Sequence, residues 1–169
     1  GTLVRSCAER WGDKELVVLG DERLSYAEVD ARSAEMARGL LAIGVGKGTH
    51  VGLLAPNGPE WVVAWFAATR IGAVVAMLNT YARARELGRS LRHADVAHLL
   101  TVASHLGHDY LDRLEEVAPA LDGASAPLML PTHPYLRTVW AWGGEPRPWV
   151  GEVDELVIRH ADDHECNLH

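Results

Sequence analysis

The chain is short of the features that would define it quickly. Its 169 residues hold two cysteines, Cys7 and Cys166, one near each end. That is too few for the disulfide framework of a secreted scaffold, so a reducing, cytoplasmic setting is expected. Basic residues are in deficit: 16 Lys and Arg against 23 Asp and Glu give a net charge of -7. Such a balance repels nucleic-acid backbones and anionic membrane surfaces, which excludes nucleic acid as an expected partner. No basic stretch followed by an apolar core marks a signal peptide at the N-terminus. The longest apolar region, residues 61–78, is broken by Arg70 and Gly72, so it reads as a buried helix running into a strand and not as a membrane span.

What is present is globular: 48% of residues are hydrophobic and 23% charged, enough for a sizeable core. Leu3, Val4, Cys7, Ala8 and Trp11 recur at helical spacing before Gly12. Two β-type runs flank Gly20-Asp21, the pattern of a hairpin. Ser25 and Glu28 form an S-x-x-E capping box opening a helix whose apolar face holds Val29, Met36, Ala37, Leu40 and Leu41 and which stops at Gly44. Apolar strands are then predicted at residues 51–55, 73–78, 97–102 and 137–142. Helices are predicted from Pro59, from Ala84 to His93, and over Leu106, Tyr110, Leu111, Leu114 and Val117. This alternation predicts an α/β fold: a mostly parallel sheet with helices on both faces, preceded by a short helix and a β-hairpin. Burial is expected to be strongest at Val74, Val75, Leu99 and Leu100. Residues 1–144 are read as one α/β subdomain and residues 145–169, with a local charge of -5, as an acidic, His-containing tail.

Three clusters invite a chemical reading. Residues 44–49, Gly-Val-Gly-Lys-Gly-Thr, look like a phosphate loop, but Lys47 precedes Gly48, Leu41 stands where the leading glycine belongs, and the loop runs from helix to strand. A structural turn is the better account. His160, His164, Cys166 and His169 with Asp162, Asp163 and Glu165 have metal-ligating side chains, yet Leu168 occupies the second histidine position of an H-E-x-x-H motif, so a solvated tail is expected. Arg83, Arg85, Arg89 and Arg92 against Glu86 form a basic patch that could receive a phosphate or an acidic partner, and is more simply a solvated helix face. His105, His108 and Asp109 read as the polar start of a helix. No residue is assigned as catalytic, cofactor-binding or metal-binding.

Four blocks in order, Leu24-Ser25-Tyr26-Ala27-Glu28, Gly44-Val45-Gly46-Lys47-Gly48, Pro56-Asn57-Gly58-Pro59-Glu60-Trp61 and Gly72-Ala73-Val74 leading to Leu78-Asn79, resemble the N-terminal part of the adenylate-forming (AMP-binding) acyl-CoA synthetases over residues 2–142. The resemblance implies that full-length relatives use ATP and Mg²⁺ to make an acyl-adenylate and pass the acyl group to a thiol such as CoA. It makes Asn57 and Glu60 helix-start determinants and Asn79 a turn determinant. The family's phosphate loop, Tyr-Gly-x-Thr-Glu segment, ribose-binding Asp and catalytic lysine have no counterpart here, where the lysines are Lys14 and Lys47. A partial ligase, inactive alone and binding no cofactor alone, is therefore expected. Trp140, Trp142 and Trp149 should then be poorly covered, so that the chain self-associates or binds the remaining ligase domains. The alternative is a free-standing, non-catalytic module that pairs with another chain.

Overall fold

A computed structural model describes residues 2–158. Two compact units are formed: residues 2–49, 57–74 and 156–158 make one, and residues 50–56 and 75–155 the other.

The first unit begins with α1 (Thr2–Trp11), the hairpin of β1 (Glu15–Leu19) and β2 (Glu22–Ser25), and α2 (Tyr26–Ala42). The capping box forms as the sequence implies. Glu28 N–H donates to Ser25 Oγ at 3.2 Å, and the Glu28 carboxylate accepts from Ser25 N–H at 2.7 Å; donation from the Ser25 backbone, followed by its hydroxyl, lowers the Glu28 pKa. Val29, Met36, Ala37 and Leu40 are buried on one face. In α1 the expected stripe is narrower, because Val4 is buried whereas Leu3 is exposed. The next helix of this unit, α3 (Pro59–Arg70), packs against α2 and buries Val63, Ala64, Ala67 and Ala68. These small residues let two helices approach closely. At Gly39 of α2 an added Cβ would run into the backbone carbonyl of Leu156, so only glycine lets the chain around Leu156 lie against α2.

The second unit is built on a five-stranded sheet. In chain order its strands are β3 (His50–Leu54), β4 (Val74–Met77), β5 (His98–Val102), and, after the two-residue strands β6 (Ser104–His105) and β7 (His108–Asp109), β8 (Thr138–Trp142) and β9 (Val150–Glu152). The spatial order is β4-β3-β5-β8-β9. β3, β5, β8 and β9 pair in parallel. Along β3 and β4 the bonds Val74 N–H to Thr49 O and Leu78 N–H to Leu53 O ascend together, which is also the parallel sense. Leu54, Leu99, Val139 and Ala141 meet α4 (Ala84–His93) and α5 (Tyr110–Val117) in one core. Val51, Leu53 and Leu100, which point to the other face, are also buried, as expected for central parallel strands.

Several expectations are corrected. β4 lies at the sheet edge, so Val74 is 49% exposed and Val75 only half-buried, whereas Leu99 and Leu100 are buried as predicted. Leu106 does not join α5. It sits at φ 50° in the turn between β6 and β7, exposed, and α5 begins at Tyr110. The boundary at 144/145 also fails, since β9 joins the sheet and continues into α6 (Val153–Ile158). Trp149 is 2% exposed, not uncovered, while Trp140 and Trp142 are half-buried.

Parallel strands usually need a crossover of a dozen or more residues, yet residues 143–149 alone return the chain from β8 to β9. Gly143 and Gly144 turn it at φ 67° and 103°, and an added Cβ at Gly144 would overlap Ala103. Trp149 then fills the core and anchors the return.

Two buried histidines tie this unit together. His98 Nδ1 lies 2.9 Å from Thr138 Oγ1, which also accepts from Trp140 Nε1–H at 3.0 Å. His133 Nε2 is 3.2 Å from the Gly88 carbonyl, and its Nδ1 is 3.0 Å from Thr132 Oγ1. Burial lowers both pKa values from the ordinary 6.5, helped by Arg137 at His98, while at His133 Arg92 adds to the lowering and the Gly88 bond opposes it. The unfolded chain therefore binds more protons between the depressed folded values and 6.5, and stability rises with pH across that window. Thermal melts from pH 7.5 down to pH 5 should show a falling Tm that is blunted by His98→Gln. An unchanged slope in that variant would remove His98 from the account.

Candidate functional site

In open parallel sheets, ligands bind outside the carboxyl ends of the strands. The second unit has a cavity of about 650 Å³ there, lined on one side by Tyr81, Ala82, Arg83 and Ala84 from the loop after β4. Gly107, His108, Asp109, Asp112, Arg113 and Glu116, from the segment after β5, line the other. Each wall has a local cause. Asn79 Oδ1 accepts from Tyr81 N–H at 2.9 Å, making Asn79 the turn determinant expected of it. Arg113 then donates to the carbonyls of Thr80 and Ala82 at 2.9 and 3.0 Å, and its guanidinium carbon lies 5.0 Å from the Tyr110 ring centre. Asp109 caps α5 by accepting from Asp112 N–H at 2.8 Å.

Behind that wall, Arg147 donates to Asp112 at 2.6 Å and contacts Glu115 at 2.7 Å and Asp109 at 3.8 Å; Glu115 also accepts from Trp149 Nε1–H at 3.2 Å. Partial burial opposes the charge on Arg147, but these carboxylates outweigh it and raise its pKa. The cavity is therefore firmly framed, and Tyr81, Arg83, His108 and Glu116 are its ionisable side chains left without a side-chain hydrogen bond or ion pair among the described residues. No nucleophile stands beside a base there, and no three metal-ligating side chains converge among the described residues.

The residues singled out by sequence fall in different places. Lys47 lies on a turn where three amides are already committed to protein acceptors: Gly46 N–H donates to Thr49 Oγ1 at 3.1 Å, Gly48 N–H to Gly72 O at 2.9 Å and Thr49 N–H to Gly46 O at 3.0 Å. That loop does not fit a nucleotide phosphate. Asn57 does not start α3, which is capped by Gly58 without a side-chain bond, although Glu60 sits in its first turn. His108 and Asp109 reach the cavity and His105 pairs with His108 in the small hairpin. Arg83 also lines it, while Arg85, Arg89 and Arg92 are exposed on α4. His160, His164, Cys166 and His169, with Asp162, Asp163 and Glu165, lie outside the described residues. Arg113 and Arg147 were not anticipated; only their positions in or near an acidic helix, Arg113 four residues after Asp109, hinted at a role.

Against known proteins, the AMP-binding enzyme family matches residues 4–161, so the chain belongs to the adenylate-forming AMP-binding enzymes. YngI of Bacillus subtilis (strain 168), an acyl-CoA synthetase by name, is 35% identical over 161 residues, which are 94% of this chain and 29% of YngI. The medium/long-chain-fatty-acid–CoA ligase FadD6 of Mycobacterium tuberculosis is 36% identical over 100 residues, 59% of this chain and 17% of FadD6. The crystal structure of coronafacic acid ligase from Pectobacterium brasiliense superposes with a TM-score of 0.75 at 17% identity, covering 97% of this chain and 30% of that one; it shows the fold. The chain thus spans less than a third of each of these three relatives. Among the described residues no helix is long and apolar enough to cross a membrane.

Proposed function

We propose that this chain provides the N-terminal framework of an ATP-dependent acid–thiol ligase, and that it does not form an acyl-adenylate by itself. One observation carries the reading: the family match runs through residues 4–161, yet the 161 residues aligned with YngI cover only 29% of it. In this reading the complete enzyme activates a carboxylic acid as its adenylate and passes the acyl group to a thiol such as CoA. ATP, Mg²⁺ and CoA chemistry then depends on residues outside this sequence. Stabilising a transferring phosphoryl group requires preorganised amides and cations, and in the glycine-rich loop of residues 44–49 the amides of Gly46, Gly48 and Thr49 already donate to Thr49, Gly72 and Gly46.

The rival reading, a non-catalytic module pairing with another chain, is supported by the burial of Trp149, which removes one apolar surface that a missing domain would have covered. Both readings predict that Mg·ATP titrated into the purified chain gives no saturable heat. Stoichiometric binding in the micromolar range would overturn both. Co-expression separates them: the framework reading requires that a polypeptide carrying the rest of a related ligase bind the chain and acquire thioester-forming activity.

A further inference from the structure

The arginines of α4 are left unexplained by the ligase reading. Arg85, Arg89 and Arg92 are spaced i, i+4 and i+7 and so share one face of the helix over about 10 Å. All three are exposed, and none has a carboxylate partner among the described residues. The neighbouring acids in sequence are Glu86, whose carboxylate accepts from the Arg83 N–H at 3.2 Å, and Asp95, three residues beyond Arg92, which forms no ion pair with it among the described residues. Three arginines in a row without a carboxylate ion pair are unexpected in a chain of net charge -7.

The stripe ends at an apolar recess. A half-open cavity of about 180 Å³ is lined by Leu91, Arg92, Val96, His133, Tyr135 and Leu136, with Pro134 at its rim. Its floor is rigid: Leu91, Val96 and Leu136 are core residues, and His133 is held by Gly88 and Thr132. Arg92 belongs to both features, reaching to 3.3 Å from His133 Nε2 at the cavity wall. The recess has the size of one large apolar side chain. Charge without an apolar pocket would suit any polyanion; the two together suit an acidic surface with an anchor.

We propose that the Arg85, Arg89 and Arg92 stripe and its terminal recess form a docking surface for an acidic helical segment of a partner protein carrying one large apolar side chain. The partner's carboxylates, at matching helical spacing, pair with the arginines. Its apolar residue enters between Leu91, Val96 and Leu136. The cations set association and orientation, and the recess supplies the desolvated contact that holds the complex.

The test uses the whole chain and a short, fluorescently labelled helical peptide with glutamates at i, i+4 and i+7 and a single phenylalanine. Saturable binding should weaken about tenfold with Arg89→Glu, because a like charge replaces an attractive one, and about tenfold when the peptide's phenylalanine becomes alanine. Raising salt from about 0.05 to about 0.5 M should weaken it further. Arg89 is exposed, so the variant should melt as the parent does, and Arg85→Glu serves as a second variant. Equal binding of the two peptides would reduce the surface to unspecific attraction. Tighter binding of a single-stranded oligonucleotide than of the peptide, or no effect of either arginine variant, would also overturn the proposal.

Discussion

Replacing Asp30 with alanine should lower the stability of the chain by about 3 kcal/mol, because it strips a buried arginine of its counter-charge. The Arg70 side chain is only 3% exposed and pairs with Asp30, joining α3 to α2. Its Nε and Nη1 have no hydrogen-bond partner among the described residues, so among those residues Asp30 is the group offsetting the cost of taking this guanidinium out of water. Asp30 itself is 24% exposed, which places the loss at the lower end of the usual range for broken buried pairs. For a chain of this size that corresponds to a fall in Tm of roughly 6–12 °C. The double variant Asp30→Ala with Arg70→Met should recover most of it, since an apolar side chain of similar volume needs no counter-ion. If the double variant were as unstable as the single one, the loss would come from packing and not from charge.

Trp149→Ala should cost about as much, roughly 3–5 kcal/mol, by a different mechanism. Trp149 is among the largest fully buried side chains and closes the short return from β8 to β9. Removing it leaves a cavity where the return meets the core and frees Glu115 from its indole partner. Trp149→Phe, which keeps most of the volume and loses the hydrogen bond, should cost about 1 kcal/mol. Amide exchange at Val150, Gly151 and Glu152 should accelerate more than at Leu99 or Leu100, because β9 depends on this anchor. Uniform acceleration across the sheet would mean that Trp149 stabilises the whole unit and not the edge.

Local chemistry was the legible part of this fold. Ser25 and Glu28 announce the α2 cap, Gly20-Asp21 the hairpin, and Asn79 the turn, because each acts through neighbours a few residues away. The parallel strands were equally readable from their apolar runs. Strand position was not: residues 74–77 are as apolar as residues 98–102, and only tertiary pairing leaves the former at an edge. The segment after residue 144 was misread because its acidic residues dominate any charge count, whereas Trp149, Val153 and Leu156 are the residues that bury.

The irregular stretch before β8 shows the same limit. Leu128, Leu130, His133 and Leu136 lie among glycines, alanines and prolines with no periodicity, yet all four are buried. The cavity walls were half legible. His108, Asp109 and Arg83 could be picked out by residue type, but Arg113 and Arg147 acquire their roles through carbonyls and carboxylates some thirty positions away.

The central claim is that these residues build a ligase framework without the machinery of adenylation. Pyrophosphate release by the purified chain, given ATP, Mg²⁺ and a panel of fatty and aromatic acids, tests it most directly. The account predicts no release above a heat-inactivated control with any acid. Acid-dependent release that persists through repurification would contradict it, and would mean that the cavity beside Arg83 and His108, or another part of this chain, performs the chemistry assigned here to residues beyond it.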